Sequence, residues 1–208
     1  MSKMKLYGYP TSGHTHKAQL FLSLLKLDFE FVNVDLLSGE HKQASFLALN
    51  PFGQVPVLVD GEDVIADSNA ILVYLARTYD PTGQWLPEDP MKHARVEQFL
   101  STAAHRLAGS AALLRAANLF SRTVNKPALL ESAHLLFSQL NDYLQGKDWL
   151  VDERVTIADV AFYTYTKVAP EGDVDLSGYP SILSWLNNVE ALDGFVDMPS
   201  SGVGLRAS

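Results

Sequence analysis

An α/β half followed by an all-α half is the fold that this sequence predicts, and three observations carry the prediction. Up to Tyr79, short apolar runs alternate with segments of helical period. After Met91 every apolar pattern repeats at spacings of three and four residues. Between the two, "YDPTGQWLPEDP" (Tyr79 to Pro90) sets three prolines and a glycine within twelve residues, the composition of a linker. The reading divides the chain into residues 1–79, a linker at 80–90 and a helical half at 91–208. With 208 residues, 47% apolar and 19% charged, the chain has the profile of a globular protein with a sizeable core.

The elements follow in order. Met4 to Tyr7 reads as a strand, His14 to Leu27 as a helix, Phe29 to Val34 as a second strand and His41 to Leu49 as a short helix. Strands at Val57 to Val59 and Val64 to Ala66 flank Asp60-Gly61-Glu62, a hairpin connection, and a helix runs from Ser68 to Tyr79. Two strands joined through a helix favour parallel pairing, whereas a hairpin requires antiparallel pairing. A βαβ unit followed by a ββα unit is the thioredoxin-like layout. In the second half, Val96, Phe99, Leu100, Ala103, Leu107, Ala111 and Leu114 share one helix face, as do Leu129, Leu130, Ala133, Leu136, Phe137, Leu140 and Leu144. Thr156 with Asp159 three residues on is a capping-box start for a buried helix, and Pro180 opens a last helix over Ile182 to Leu192. The tail "MPSSGVGLRAS" reads as a loop or lid.

Charge and composition exclude several functions. A net charge of −8 leaves no long-range basic field for nucleic acid or anionic lipid, so an anionic ligand must be met by a local pocket. "MSKMK" leads into a strand rather than an apolar leader, and no run is long enough to cross a bilayer. The expectation is a cytoplasmic protein without a membrane partner. The absence of Cys removes disulfides, thiolate nucleophiles and Cys-type metal sites. The turn after the first strand, Gly8-x-x-x-x-Gly13-His14-Thr15, falls one residue short of a phosphate-binding loop, because His14 stands where that motif needs Lys. His14 and His16, two apart on a helix, point about 200° from each other and cannot chelate together, so no metal is expected.

"GEHKQASFLALNPFGQVPVLVDGEDVIADSNAILVYLA" (Gly39 to Ala76) resembles the glutathione-binding half of cytosolic glutathione transferases, closest to the serine-type phi- and theta-like classes. The resemblance covers the whole chain, strongly from Leu6 to Tyr79 and loosely beyond. It implies the glutathione transferase fold, an enzyme that activates the thiol of glutathione for attack on small hydrophobic electrophiles, and a role in detoxification by conjugation or peroxide reduction. Glutathione is then a co-substrate, no metal is involved, and the protein is a homodimer. The alternative is a glutathione-transferase-like protein that binds or regulates without catalysis.

The resemblance also implies roles for residues. His41 and Lys42 would meet the glycyl carboxylate, Gln54 and Val55 the peptide backbone, and Asp67 and Ser68 the γ-glutamyl end, with a cis bond at Val55-Pro56. The chemistry of the tripeptide suits them: two carboxylates need cations or N–H donors, and one ammonium needs an acceptor. Asp67 is one methylene shorter than the Glu more often found there. Ser12 would donate its hydroxyl proton to the glutathione thiolate at the positive end of a helix. Taken by itself, Ser12 reads first as an ordinary N-cap, since Ser is strongly preferred there. Tyr7, at the end of the first strand, is the alternative donor. Tyr9, Thr11 and His14 lie close enough to line the same pocket. The electrophile would sit between the halves against Ala103, Arg106, Leu107, Ser110 and Ala111, although such small residues equally suit close helix packing.

Overall fold

The computed structural model describes residues 3–207. Its N-terminal half is built on a four-stranded sheet of order β2-β1-β3-β4, with β1 at Met4–Gly8, β2 at Phe29–Asn33, β3 at Val57–Asp60 and β4 at Asp63–Ala66. β1 runs parallel to β2 and antiparallel to β3, and β3 turns back into β4 through Gly61 and Glu62. These are the pairings that the connection lengths predict. Helices α1 (Gly13–Leu24) and α3 (Ser68–Tyr79) accompany this sheet. Strand alternation divides the β1 side chains: Leu6 enters the main core with Phe21, Leu58 and Leu72, while Tyr7 turns to a small cluster with Val34, Phe46 and Val57.

The expected helix at His41 to Leu49 is shorter and broken. A 3-10 turn at Glu40–Lys42 is followed by Gln43 in extended backbone, and α2 covers only Ala44–Leu47. His41 and Lys42 therefore precede the helix rather than open it.

The second half begins with one long rod: α4 (Pro90–Thr102), a π-helical stretch over Ala103–Ala112 and α5 (Leu113–Phe120). Helices α6 (Lys126–Tyr143), α7 (Ile157–Lys167) and α8 (Pro180–Glu190) complete it. α7 is buried all round, and its start is the predicted capping box: Thr156 Oγ1 accepts from the Ala158 N–H, and Asp159 accepts from the Thr156 N–H. Asp159 is fully buried and also accepts from the Leu150 N–H and the Trp185 indole N–H, both at 2.9 Å. Ala103, Leu107, Ser110 and Ala111 are buried in the rod's contacts with the other helices. They are packing residues, and the expected electrophile wall is not made of them: small side chains here let helices approach closely.

A single apolar cluster runs from Leu6 and Phe21 through Leu72 and Leu100 to Phe162 and Trp185, so both halves share one core. The linker is tied into it. Trp85 packs edge-on to Phe21 at 5.1 Å between ring centres, and its carbonyl accepts from the Ile157 N–H at 2.9 Å. His16 bridges in the same way, its Nδ1 2.9 Å from Thr164 Oγ1 and its Nε2 3.0 Å from the Val196 carbonyl. Among the described residues no helix is long and apolar enough to cross a membrane, and no cluster of acidic, His or Cys side chains is placed to hold a metal.

Candidate functional site

A cleft of about 570 Å³ opens where the turn before α1, the loop around α2, the entry to β3 and the start of α3 converge. Its walls carry Ser12, His14, His41, Lys42, Gln54, Val55, Asp67 and Ser68, eight of the residues singled out from the sequence. The volume is in the range that holds small-molecule ligands.

Ser12 caps α1. Its backbone is extended (φ −80°, ψ 119°), and its Oγ accepts from the Thr15 N–H at 3.3 Å. The cap reading holds, and because capping uses an oxygen lone pair it is compatible with a hydroxyl that donates its proton elsewhere. The turn around it is closed by main-chain contacts. The Ser12 N–H donates to the Tyr9 carbonyl at 2.9 Å, and the Tyr9 N–H donates to Thr15 Oγ1 at 3.2 Å. Tyr9 and Thr11 brace this turn without lining the cleft, and Tyr7 is turned toward Val34 and Phe46. Gly13 is required by its neighbour from α7: a Cβ there would lie 2.6 Å from the Tyr165 ring.

At the opposite wall the loop before β3 is shaped by Asn50, which is buried. Its Nδ2 donates to the Gln54 carbonyl at 2.8 Å, and its Oδ1 accepts from the Phe52 N–H at 3.0 Å. The Val55-Pro56 bond is cis. Lys42 Nζ donates to the Gly53 carbonyl at 3.3 Å, and His41 Nδ1 is buried with no partner among the described residues. Asp67 caps α3 from a left-handed backbone (φ 77°, ψ 130°), a conformation that costs a non-glycine residue about 1–3 kcal/mol. Its Oδ1 accepts from the N–H groups of Asn69 and Ala70 at 2.8 and 3.0 Å. These two N–H groups are thereby taken, so an anion at this helix end would be met by the Ser68 N–H and hydroxyl.

Ser68 is 3% exposed and its Oγ lies 3.1 Å from His14 Nδ1. His14 also sits edge-on to Tyr165, 5.0 Å between ring centres. Burial pushes the imidazole down to about 4, the nearby Lys17 ammonium adds to the fall, and Asp67 opposes it. Lys17 is itself buried, its Nζ 2.8 Å from Asn69 Oδ1, and burial brings it down to about 8. His14 and His16 diverge as their spacing requires, one to the cleft and one into the core. The depressed His14 carries a prediction. Between pH 6.5 and about 4 the unfolded imidazole takes up a proton that the folded one refuses, so stability falls on acidification through that window. The limiting contribution is about 3 kcal/mol. His14→Gln is expected to lose that part of the acid sensitivity, read as the difference from the unaltered protein in denaturant unfolding at neutral and at mildly acid pH.

Sequence reasoning missed Asn50, Phe52 and Arg122, which also line the cleft. Arg122 follows α5, outside any motif, and only the folded chain brings it here. Arg106 goes elsewhere, to a separate cleft of about 1040 Å³ with Arg95, Phe99, Tyr143 and Trp149, so it does not share a pocket with Ser12.

Residues 2–77 match the family described as "Glutathione S-transferase, N-terminal domain", and residues 107–193 match "Glutathione S-transferase, C-terminal domain". Glutathione S-transferase 3 of Zea mays is 32% identical over 205 residues, covering 94% of this chain and 92% of that protein. A zeta-class glutathione S-transferase of Euphorbia esula is 35% identical, covering 87% of this chain and 83% of that protein. The crystal structure of a glutathione S-transferase from Pseudomonas fluorescens superposes with a TM-score of 0.89 at 33% identity, covering 96% of this chain and all of that one. With a thioredoxin-like half, a helical half and a cleft at the start of α1 and α3, this chain belongs to the glutathione S-transferase family of transferases.

Proposed function

We propose that the chain is a serine-type transferase in which residues 1–79 hold glutathione, 80–90 link, and 91–208 supply the electrophile side of the site. The observation that carries this reading is the Ser12 hydroxyl, which accepts from the Thr15 N–H, has no acceptor for its own proton among the described residues, and lies on the wall shared by His41, Lys42, Asp67 and Ser68. An unperturbed thiol ionises near 8.5, so little thiolate exists at neutral pH. Ser12 O–H donates to the sulfur anion, the positive end of α1 adds to its stabilisation, and the thiol proton leaves to solvent. The sulfur pair then forms the bond to the electrophilic carbon as the leaving group departs with its own pair. Lys42, and Arg122 beyond it, offer the cations for the glycyl carboxylate; Ser68 and the unused oxygen of Asp67 take the γ-glutamyl end.

Calorimetry tests the binding site. Glutathione is expected to bind and to raise the melting temperature, with Lys42→Ala and Ser68→Ala each weakening binding by about 1–2 kcal/mol. No binding at millimolar concentration would refute the assignment, and binding without any conjugation of aryl or alkyl halides would favour the non-catalytic alternative. We further propose a two-fold homodimer in the cytoplasm. Sedimentation at micromolar concentration is expected to give twice the chain mass, and a monomer would count against it.

A further inference from the structure

The turn that carries Ser12 is held from the helical half by a buried chain of charges. Arg115, on α5, is 3% exposed; its Nη1 donates to the Thr11 carbonyl at 2.7 Å and its Nε to Glu171 Oε2 at 2.7 Å. Glu171 is fully buried in the 3-10 turn Ala169–Gly172 that follows α7. Its second oxygen, Oε1, accepts from the Ser201 N–H and from Arg206 Nη1, both at 3.0 Å. Arg206 also donates to the Lys167 carbonyl at 3.1 Å, which pins the C-terminal segment across the end of α7. Gly204 fits only without a side chain, since a Cβ would lie 2.4 Å from the Glu171 carbonyl oxygen. The tail is thus docked on the helical half and reaches the Ser12 turn through two side chains.

Taking such charges out of water is expensive, and buried ion pairs of this kind contribute little net stability. What the network supplies is position. Thr11 immediately precedes Ser12, and its carbonyl is held by one arm of a planar, rigid guanidinium whose neighbouring arm is held by Glu171. His16 from α1 and Tyr165 from α7 both feel the Arg115 charge, and Tyr165 packs on Gly13 at the other side of the turn.

We propose that Arg115 is a positioning residue for thiol activation, and that Glu171 with the docked segment Ser201 to Arg206 holds it in place, so that the C-terminal tail sets the aim of the Ser12 hydroxyl. The inference rests on the reading of Ser12 as donor to the thiolate. Misplacing a donor without removing it leaves ground-state binding intact and reduces what is gained as the anion forms.

The test compares Arg115→Lys, Arg206→Ala, Ser12→Ala and Arg115→Lys combined with Ser12→Ala, reading kcat, KM for glutathione and the thiolate absorbance of bound glutathione against pH. A lysine keeps the charge beside Glu171, but its single ammonium cannot serve as the two-armed fork. Arg115→Lys is expected to lower kcat about tenfold with KM within about twofold, and to raise the bound thiol pKa by about one pH unit. In the Ser12→Ala background the same change is expected to add nothing, because both act through one hydroxyl. Arg206→Ala, at the margin of the network, is expected to shift kcat and the thiol titration in the same direction by about threefold. Ser12→Ala with an unmoved titration would end the reading of Ser12 and this inference with it. Ser12→Ala with a moved titration, but an Arg115→Lys that folds and titrates as the unaltered protein does or is fully additive with Ser12→Ala, would end the inference alone. Should Arg115→Lys fail to fold, Arg206→Ala decides: unchanged kcat and titration overturn it.

Discussion

Ser12→Ala is expected to bind glutathione within about threefold of the unaltered protein and to conjugate it about thirtyfold more slowly at neutral pH, with its activity profile moved toward alkaline pH. The hydroxyl contributes little to holding a neutral thiol and much to holding a thiolate, and each tenfold loss of thiolate corresponds to about 1.4 kcal/mol of that difference. Thiolate absorbance of bound glutathione against pH is the direct measurement. Tyr7→Phe should leave the titration in place, because Tyr7 packs toward Val34, Phe46 and Val57. A titration unmoved in Ser12→Ala and raised in Tyr7→Phe would transfer the role to the phenol. If neither moves it, the start of α1 alone holds the sulfur. Ser12→Ala also loses the acceptor for the Thr15 N–H, so a stability loss of about 1 kcal/mol is expected alongside and must be measured separately.

The largest stability loss is expected at a position far from the cleft. Asp159→Ala removes the acceptor of the Leu150 and Thr156 N–H groups and of the Trp185 indole, all in the interior. Each orphaned donor costs about 1–3 kcal/mol, partly offset because a buried carboxylate is no longer held out of water. A net loss of about 3–5 kcal/mol follows, read from the denaturant midpoint with tryptophan fluorescence. Asp159→Asn should lose less, since one amide oxygen still serves Leu150 and Trp185. Burial pushes the Asp159 carboxyl up to about 6. The folded state then keeps a proton that the unfolded chain releases above about 4, so this group's contribution weakens as pH rises through that range, opposite in sign to His14.

Much of this was legible in the residues, and the limits have physical causes. Local rules placed the sheet, because a hairpin and a helical crossover leave few topologies. They also placed the capping box at Thr156 and Asp159, because its spacing is intrinsic to a helix start. His41 and Lys42 were found but set on the wrong local structure, since Gln43 takes an extended backbone that breaks the helical period. Arg122 and Arg115 carry no local signal at all. Arg115 stands at a helical spacing while its partner Thr11 lies 104 positions away, and Arg122 lies past the end of α5, where only the folded chain brings it to the cleft. Ala103, Leu107, Ser110 and Ala111 show the converse: small residues on a helix face read alike whether they leave room for a ligand or admit a neighbouring helix.

The apolar interior shared by the two halves bears on how the molecule comes apart and how it exchanges ligands. Leu72 and Phe21 of one half lean on the same cluster as Leu100 and Phe162 of the other, and Trp85 anchors the connection between them. Parting the halves would expose that interior, which opposes a hinge motion at the connection and couples the unfolding of one half to that of the other. Heat or denaturant therefore meets one cooperative object. The cleft's own exposed lining, Phe52 and Arg122 among it, is then the side from which a ligand reaches it without disturbing that interior.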